Sequence, residues 1–232
     1  FLCCAIGYRL VQIMPRQFKY NPPKGPLDII HIDSSLVIVN KPAGLLTVPG
    51  KPEAHFDSLL TRLRKEVFGA LLVHRLDLDT SGIIMFARTA SSQVFLNKQF
   101  ENRKVKKTYV ARVSGHFDTH CGKINLPIIV DWPNRPKQKV CFKTGKKSVT
   151  HYKVLKHEDN NISRVELLPI TGRSHQLRLH MKHIGHPILG DPLYATETIY
   201  KATDRLNLHS FSIEVSHPKT GKPEKFTTLA PF

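Results

Sequence analysis

Residues 71–89 place a group of polar side chains between two apolar stretches, LLV and IIMFA. The polar residues are His74, Arg75, Asp77, Asp79, Thr80, Ser81 and Gly82. Because the flanking stretches have the character of buried strands, we expect this group to form a strand-end loop, a common place for functional residues. A carboxylate kept ionised by neighbouring cations can act as a nucleophile or a base. The alternative is that Asp77 and Asp79 only cap a turn.

The net charge of the chain indicates which class of partner it binds. The 232 residues include 35 Lys and Arg against 18 Asp and Glu, a formal net charge of +17. Such an excess is typical of proteins that bind phosphate-rich partners, and nucleic acid is the leading candidate, with a merely basic protein as the alternative. No apolar stretch approaches the roughly 18 residues of a membrane span, so we expect no membrane partner. The cysteines at positions 3, 4, 121 and 141 lack CxxC spacing, which indicates reduced thiols in a cytoplasmic protein.

A second polar group lies in residues 169–191, PITGRSHQLRLHMKHIGHPILGD. Arg173 and Arg178 each carry a planar guanidinium that can bind a carboxylate or a phosphate. The histidines of this segment are His175, His180, His183 and His186. They do not follow the HExxH pattern, and a spacing of five separates His175 from His180 around a helix, so we predict no metal site.

A third group lies in residues 131–147, DWPNRPKQKVCFKTGKK. It combines cations with Trp132 and Phe142, a composition suited to neutralising a nucleic-acid backbone beside aromatic surfaces. The cationic run of residues 101–109 adds to this charge. The alternative of equal weight is a solvated basic hairpin with one buried tryptophan.

Apolar patterning predicts more strands than helices. We predict strands at 36–40, just after the following Pro/Gly turn, on both sides of the polar loop at 71–89, at 106–115, several within 139–170 and one at 206–218. We predict helices at 57–68, with Asp57 or Ser58 as N-cap, at 90–103, and at 174–185 ending at Gly185. Short turns between neighbouring strands favour an α+β fold with a mixed, mainly antiparallel sheet.

The N-terminal residues read as a leader. We expect residues 1–26 to be a loosely attached arm and residues 27–232 to form one domain. We interpret Met14 as the natural start and residues 1–13 as upstream sequence.

Several motifs together resemble one family. HRLDLDTSG, TGRSHQLRLH followed by GHPILGDPLY, VNKPAGLLTVPG and KKTYVARVSG are similar, in this order, to the signatures of the RluA-type pseudouridine synthases. The resemblance implies a bent mixed sheet with flanking helices around a central RNA cleft. It also implies isomerisation of uridine to pseudouridine in RNA, without a cofactor or a metal.

The resemblance also implies a role for each matching residue. Asp77 matches the catalytic aspartate, which would attack a flipped uridine at C6 of the base or at C1′ of the ribose. Arg178 would pair with Asp77, with Arg173 as the second choice. Tyr109 would pack against the target base, and Arg75 would enter the space that the base leaves. The residues that we assign to RNA binding are His74, Arg75, Arg135, Lys137 and Lys139.

The resemblance implies that residues 27–232 are the catalytic domain, without an S4 domain. Within the family, residues 131–140 and the compact, S4-free N-terminus resemble members of dual specificity, which act on large-subunit rRNA and on the anticodon stem-loop of tRNA. We expect a monomer. The alternatives are a catalytically inactive RNA-binding module and a synthase with a single substrate. A glycoside hydrolase that uses Asp77 and Asp79 is disfavoured, because residues two apart on an extended strand point to opposite faces and because a charge of +17 does not suit a neutral sugar.

Overall fold

The computed structural model describes residues 20–232, and these form twelve strands and four α-helices. The strands are β1 (Asp28–Ile32), β2 (Leu36–Lys41), β3 (Leu71–Leu72), β4 (Ser81–Ala87), β5 (Lys106–Ser114), β6 (Cys121–Asn125), β7 (Ile128–Val130), β8 (Gln138–Val140), β9 (Val149–Glu158), β10 (Ile162–Pro169), β11 (Leu208–Ser216) and β12 (Pro223–Thr227). The helices are α1 (Leu59–Glu66), α2 (Ala90–Glu101), α3 (Gln176–His183) and α4 (Glu197–Lys201).

Within residues 20–232, ten of the strands form one sheet in the order β1-β2-β4-β11-β5-β10-β9-β6. The two strands outside this order are β3, which pairs with β4, and β12, which pairs with β11. The β4–β11 pair is parallel, and the other pairs are antiparallel. Strands β7 and β8 form a separate hairpin. The predicted α+β fold with a mixed, mainly antiparallel sheet is confirmed.

The core follows from side-chain alternation along β2 and β4. One face of these strands presents Val37, Val39, Ile84 and Phe86, which pack with Leu59 and Leu63 of α1. The other face presents Leu36, Ile38, Ile83 and Met85, which pack with Leu96 of α2. Because both faces are covered, β4 is buried along its whole length, and its nearly continuous apolar sequence reflects this. A third cluster joins β5, β10, β11 and α3 in the other half of the sheet.

The predicted helices form for the expected reasons. At the start of α1, the Ser58 side chain accepts from the Thr61 backbone N–H, and the Thr61 side chain accepts from the Ser58 N–H, a complete capping box. Leu59, Leu60 and Leu63 form its buried stripe. Helix α3 ends just before Gly185, whose φ of +88° only glycine adopts readily.

Two expectations about strands are corrected. The predicted second strand after the Pro/Gly turn does not exist, because the backbone there curls around a buried side chain, as described below. Strands β1, β6, β7 and β12 were missed. Strand β12 is largely polar, and β1 has isoleucines but no strict apolar alternation; none of the residues in either strand is fully buried, so both lack the pattern on which strand prediction depends.

Residues 1–19 lie outside the described residues, and so do the interpretations that concern Met14, residues 1–13, Cys3 and Cys4. The final part of the expected arm is attached to the domain. The Tyr20 hydroxyl donates to the Asp57 carbonyl at 2.8 Å and accepts from the Leu46 N–H at 3.1 Å. Arg62 donates to the Pro23 carbonyl at 2.9 Å. No helix within residues 20–232 has both the length and the apolar character that a membrane span requires.

We predict that Gly82→Ala severely destabilises the fold. Gly82 has a φ of +106°, and a methyl group there would collide with the backbone of Ser210 across the β4–β11 pair. Gly185→Ala is the matched control, because Gly185 also has positive φ but faces open space. The control should lower the free energy of unfolding by about 1–2 kcal/mol, and Gly82→Ala by roughly 1–3 kcal/mol more. Urea denaturation measures the free energy of unfolding of both variants. Equal decreases would contradict the close approach of Gly82 to the Ser210 backbone.

Candidate active site

A cavity of about 100 Å³ lies where the loop after β3 meets β5 and the start of α3. Five residues that the sequence analysis assigns to the site line it, namely Arg75, Asp77, Tyr109, Arg173 and Arg178. Lys107 and His175 line it as well. The structure therefore brings together side chains from three segments that are far apart in sequence.

The backbone on either side of Asp77 is fixed by Lys41, the last residue of β2, and by Thr47 in the turn that follows. Thr47 donates through its hydroxyl to the Leu76 carbonyl at 2.8 Å and accepts from the Leu76 N–H at 3.3 Å. The Lys41 ammonium donates to the Leu78 carbonyl at 2.9 Å. Asp77 thus lies between two anchored neighbours, with its side chain about a quarter exposed toward the cavity.

Lys41 is a site residue that the sequence analysis missed. Its side chain is fully buried, and besides Leu78 its ammonium donates to the carbonyls of Pro42 at 2.9 Å and Leu45 at 2.7 Å. This is the side chain around which the backbone curls where a strand was predicted. Burial lowers the pKa of Lys41 to about 7, although the nearby charges of Asp79 and Asp77 oppose the shift. The sequence signal was a lysine directly after an apolar strand.

Arg178 on α3 contacts Asp77, with 3.4 Å between Nη1 and Oδ2. Its stronger partner is Asp191, which it binds through Nε at 2.8 Å and Nη2 at 2.7 Å. Arg178 and Asp191 are 3% and 1% exposed, so this is a buried bidentate ion pair. Burial lowers the pKa of Arg178, but the hydrogen bonds and charges of Asp191 and Asp77 outweigh burial and raise it. The guanidinium therefore stays charged and presents Nη1 to Asp77.

Asp191 was also missed as a site residue. It lies in the quoted GHPILGDPLY segment, but no local pattern links it to Arg178, thirteen positions earlier. Its Oδ1 also accepts from the backbone N–H groups of Leu193 at 2.8 Å and Tyr194 at 3.1 Å. The carboxylate is therefore oriented by its own loop before it orients the arginine.

Arg173, the second-choice partner for Asp77, is exposed at the rim of the cavity. Among the described residues no ion pair joins it to Asp77, and its backbone N–H donates to Gln176 Oε1 at 3.1 Å. Arg75 is likewise exposed at the rim. Both guanidiniums are placed to meet a ligand that enters the cavity.

Tyr109 on β5 packs against two of the core clusters and lines the cavity with its side chain. Burial, together with the charge of Asp77, raises the pKa of Tyr109 to about 12. The phenol is therefore neutral near pH 7, and its ring offers an apolar surface to a planar ligand.

His74 turns away from the cavity. Its Nε2 accepts from the Met85 N–H at 3.0 Å, and its ring stacks on Phe100 with 4.9 Å between centroids. Burial lowers the pKa of His74 to about 3, with a further contribution from the charge of Lys107. This geometry gives His74 a structural role and does not support the RNA contact expected from the sequence, because both ring face and ring nitrogen are committed to the fold.

Asp79 does not line the cavity. Burial raises its pKa, while the charges of Arg178 and Lys41 oppose this shift. Among residues 20–232, no three His, Cys, Asp or Glu side chains are grouped so that they could hold a metal ion.

The β7–β8 hairpin carries the third predicted group. Trp132 is 66% exposed, so the alternative of a buried tryptophan is wrong. The guanidinium of Arg135 lies over the Trp132 ring, 4.2 Å from its centroid. Lys137 and Lys139 follow on or next to β8, and Lys139 also lies 3.5 Å from Asp131. Trp132 and Phe142, which is 77% exposed, give this basic hairpin two solvent-facing aromatic rings.

We predict that Asp191→Asn lowers the free energy of unfolding by about 3 kcal/mol or more, because it leaves the buried Arg178 charge without its bidentate partner. Asp204→Asn is the control, since Asp204 is exposed, and it should change stability by less than about 0.5 kcal/mol. Chemical denaturation at neutral pH measures both variants, and a small loss in Asp191→Asn would show that the pair does not hold the site together.

Comparisons with known proteins agree with the motifs. The family model described as RNA pseudouridylate synthase matches residues 35–183. The chain is 50% identical over 215 residues to the dual-specificity RNA pseudouridine synthase RluA of Salmonella typhi, covering 92% of this chain and 98% of the relative. The protein of the same name from Escherichia coli strain K12 is 49% identical over the same shares.

A solved structure, human RNA pseudouridylate synthase domain containing 1, superposes with a TM-score of 0.78 at 26% identity and covers 91% of this chain and 87% of its own. Fold, cavity and motifs thus lead to one conclusion. The chain belongs to the RNA pseudouridylate synthase family and is an isomerase that acts on RNA.

Proposed function

We propose that this protein converts uridine to pseudouridine in two RNAs, large-subunit rRNA and the anticodon stem-loop of tRNA, with Asp77 as the nucleophile. The observation that carries the proposal is the placement of Asp77 in the cavity, between two anchored neighbours and facing the Arg178 guanidinium. The two curated relatives are named as dual-specificity enzymes, which supports two substrates. Residues 131–140 resemble those of dual-specificity members of the family, which supports large-subunit rRNA and the tRNA anticodon stem-loop as the two substrates.

The reaction requires the target base to leave its stack, because a stacked uridine cannot present C1′ and C6 together. Asp77 attacks the nucleotide, the bond between C1′ and N1 breaks, and the base turns. A bond then forms between C5 and C1′, and the bond between Asp77 and the nucleotide breaks, which restores the free carboxylate. C5 loses its hydrogen as a proton, and N1 gains a proton. Atoms balance without an oxidant, a reductant or a cofactor.

Each cavity residue has a part in this sequence. Arg178 contacts and orients the Asp77 carboxylate, and it is itself held by Asp191. Tyr109 packs against the flipped base with its neutral ring. Arg75, exposed at the rim, takes the place of the base in the stack and meets the phosphate backbone.

The β7–β8 hairpin contacts the RNA beside the target. Arg135, Lys137 and Lys139 supply cations for phosphates, while the exposed ring of Trp132 offers a stacking surface. Loops are the natural targets of such a surface, because their bases unstack at modest cost. We further propose that the protein acts as a cytoplasmic monomer, in keeping with the free thiols of Cys121 and Cys141.

The experiment measures tritium release from RNA labelled at C5 of uridine, offered as an anticodon stem-loop and, separately, as a large-subunit rRNA fragment. We predict release from both RNAs. Asp77→Asn should lower the rate about 10⁴-fold or more, because it removes the nucleophile. Asp79→Asn should keep it within about threefold, because burial already disfavours the charge of Asp79 and asparagine has the same shape.

The outcomes separate the alternatives. The opposite ranking of the two variants would refute Asp77 as the nucleophile. Release from one RNA would make the protein a single-substrate synthase. No release from either RNA, with tight binding by wild type and by Asp77→Ala, would identify an inactive RNA-binding module.

We predict that Trp132→Ala raises the Kd for the anticodon stem-loop about fivefold or more, since stacking on an aromatic side chain contributes roughly 1–3 kcal/mol per base. Phe68→Ala is the control, because Phe68 is 93% exposed but lies outside the hairpin. Fluorescence anisotropy with labelled RNA measures both. Equal effects of the two substitutions would exclude Trp132 as a specific contact.

A further inference from the structure

His175 has an unusual backbone conformation beside the nucleophile. It is the N-cap of α3, with φ of 53° and ψ of 18°, in the left-handed region. A side chain with a Cβ costs about 1–2 kcal/mol there, and its imidazole makes no capping hydrogen bond that would compensate. Such conformations persist where the surrounding structure imposes them, and they cluster at functional sites. The result is a ring that lines the same cavity as Asp77.

The orientation of the ring is set by Tyr194. The Tyr194 hydroxyl lies 2.9 Å from His175 Nδ1, and the two rings meet edge to face with 5.7 Å between centroids. The backbone of Tyr194 is in turn fixed by Asp191, through its N–H. Imidazole, guanidinium and carboxylate are therefore parts of one connected arrangement.

The direction of the hydrogen bonds fixes the tautomer of His175. The backbone N–H of Gln138 donates to the Tyr194 oxygen at 2.8 Å. A hydroxyl oxygen can accept a second hydrogen bond, but among residues 20–232 the phenolic hydrogen has no acceptor other than His175 Nδ1. The arrangement that satisfies both groups therefore places the ring hydrogen on Nε2. Burial lowers the pKa of His175, with the charges of Asp77 and Asp191 opposing and that of Arg178 assisting, and the ring is neutral. Among residues 20–232, no acceptor binds this Nε2–H.

The neutral His175 Nε2–H in this cavity is matched to an uncharged hydrogen-bond acceptor of the substrate. Arg75, Lys107 and Arg173 also line the cavity, and these basic side chains can bind the phosphates, so His175 is not needed for them. The uracil ring carries two carbonyl oxygens, at O2 and O4, which are neutral acceptors. A donor that is held in one orientation positions such a ring with little loss of entropy.

We propose that His175 contacts the substrate by donating from Nε2–H to a carbonyl oxygen of the flipped uracil, and that Tyr194 positions it. The proposal rests on the proposed function and adds two residues to it. Because Tyr194 also holds the Gln138 amide of β8, the same hydroxyl joins the base-orienting residue to the RNA-binding hairpin.

The test is a double-mutant cycle with His175→Asn and Tyr194→Phe, read by tritium release from the anticodon stem-loop. Asparagine tolerates left-handed backbone but cannot reproduce the imidazole donor. We expect His175→Asn to lower kcat/KM about three- to tenfold, the effect of one lost hydrogen bond. Tyr194→Phe should lower it in the wild-type background and by a smaller factor in the His175→Asn background, because the residues act together. Tyr152→Phe, a tyrosine outside the cavity, is the control and should leave the rate unchanged.

A second readout does not depend on activity. Long-range ¹H–¹⁵N spectra report which imidazole nitrogen carries hydrogen, and the His175 signals are those absent from the spectrum of His175→Asn. We expect hydrogen on Nε2 in the wild type and a mixture of tautomers in Tyr194→Phe. An unchanged rate in His175→Asn, equal effects of Tyr194→Phe in both backgrounds, or hydrogen on Nδ1 in the wild type would overturn the inference. Failure of wild-type protein to release tritium from either RNA would instead overturn the proposed function.

Discussion

The site depends on one buried charge. The Arg178 guanidinium is almost completely removed from water, and it is tolerable there only because Asp191 offers two carboxylate oxygens in the matching geometry. Asp191 is itself oriented by two backbone amides of the loop after α3. Nη1 takes no part in the pair with Asp191, and among residues 20–232 its carboxylate partner is Asp77. The same arginine that pairs with Asp191 therefore also orients Asp77.

A second buried basic side chain, Lys41, holds the backbone that follows Asp77. Lys41 gives all three ammonium hydrogens to backbone carbonyls, and one of these belongs to Leu78. Thr47 adds two hydrogen bonds to Leu76. The loop therefore owes its shape to side chains of a segment more than twenty residues earlier. The backbone around Asp77 is therefore fixed by other side chains. The Asp77 carboxylate contacts Arg178 and remains partly exposed to a ligand in the cavity.

Much of the fold and the centre of the site could be predicted from the sequence. Apolar runs and cap residues predicted β4 and α1, and the resemblance of the motifs to the family signatures indicated Asp77 and Arg178. Asp191, Lys41 and His175 could not be predicted as site residues, because each acts through a partner that only tertiary structure brings near. His74 was predicted to bind RNA, and its contacts with the Met85 amide and the Phe100 ring could not be read from its position in the loop. The edge strand β12 was missed because its sequence is polar.

The parallel contact between β4 and β11 has a consequence for the order in which the molecule can assemble. Ser81 of β4 pairs with His209 of β11. Because His209 lies 128 residues later in the sequence, the ribosome makes β11 long after β4. Until β11 emerges, the Ser81–Gly82 end of this mainly apolar strand lacks its neighbour, and unpaired strand edges make nascent chains prone to associate. Contacts of such sequence separation also slow folding. An RNA-modifying isomerase built in this way can complete its central sheet only after nearly its whole chain has been translated.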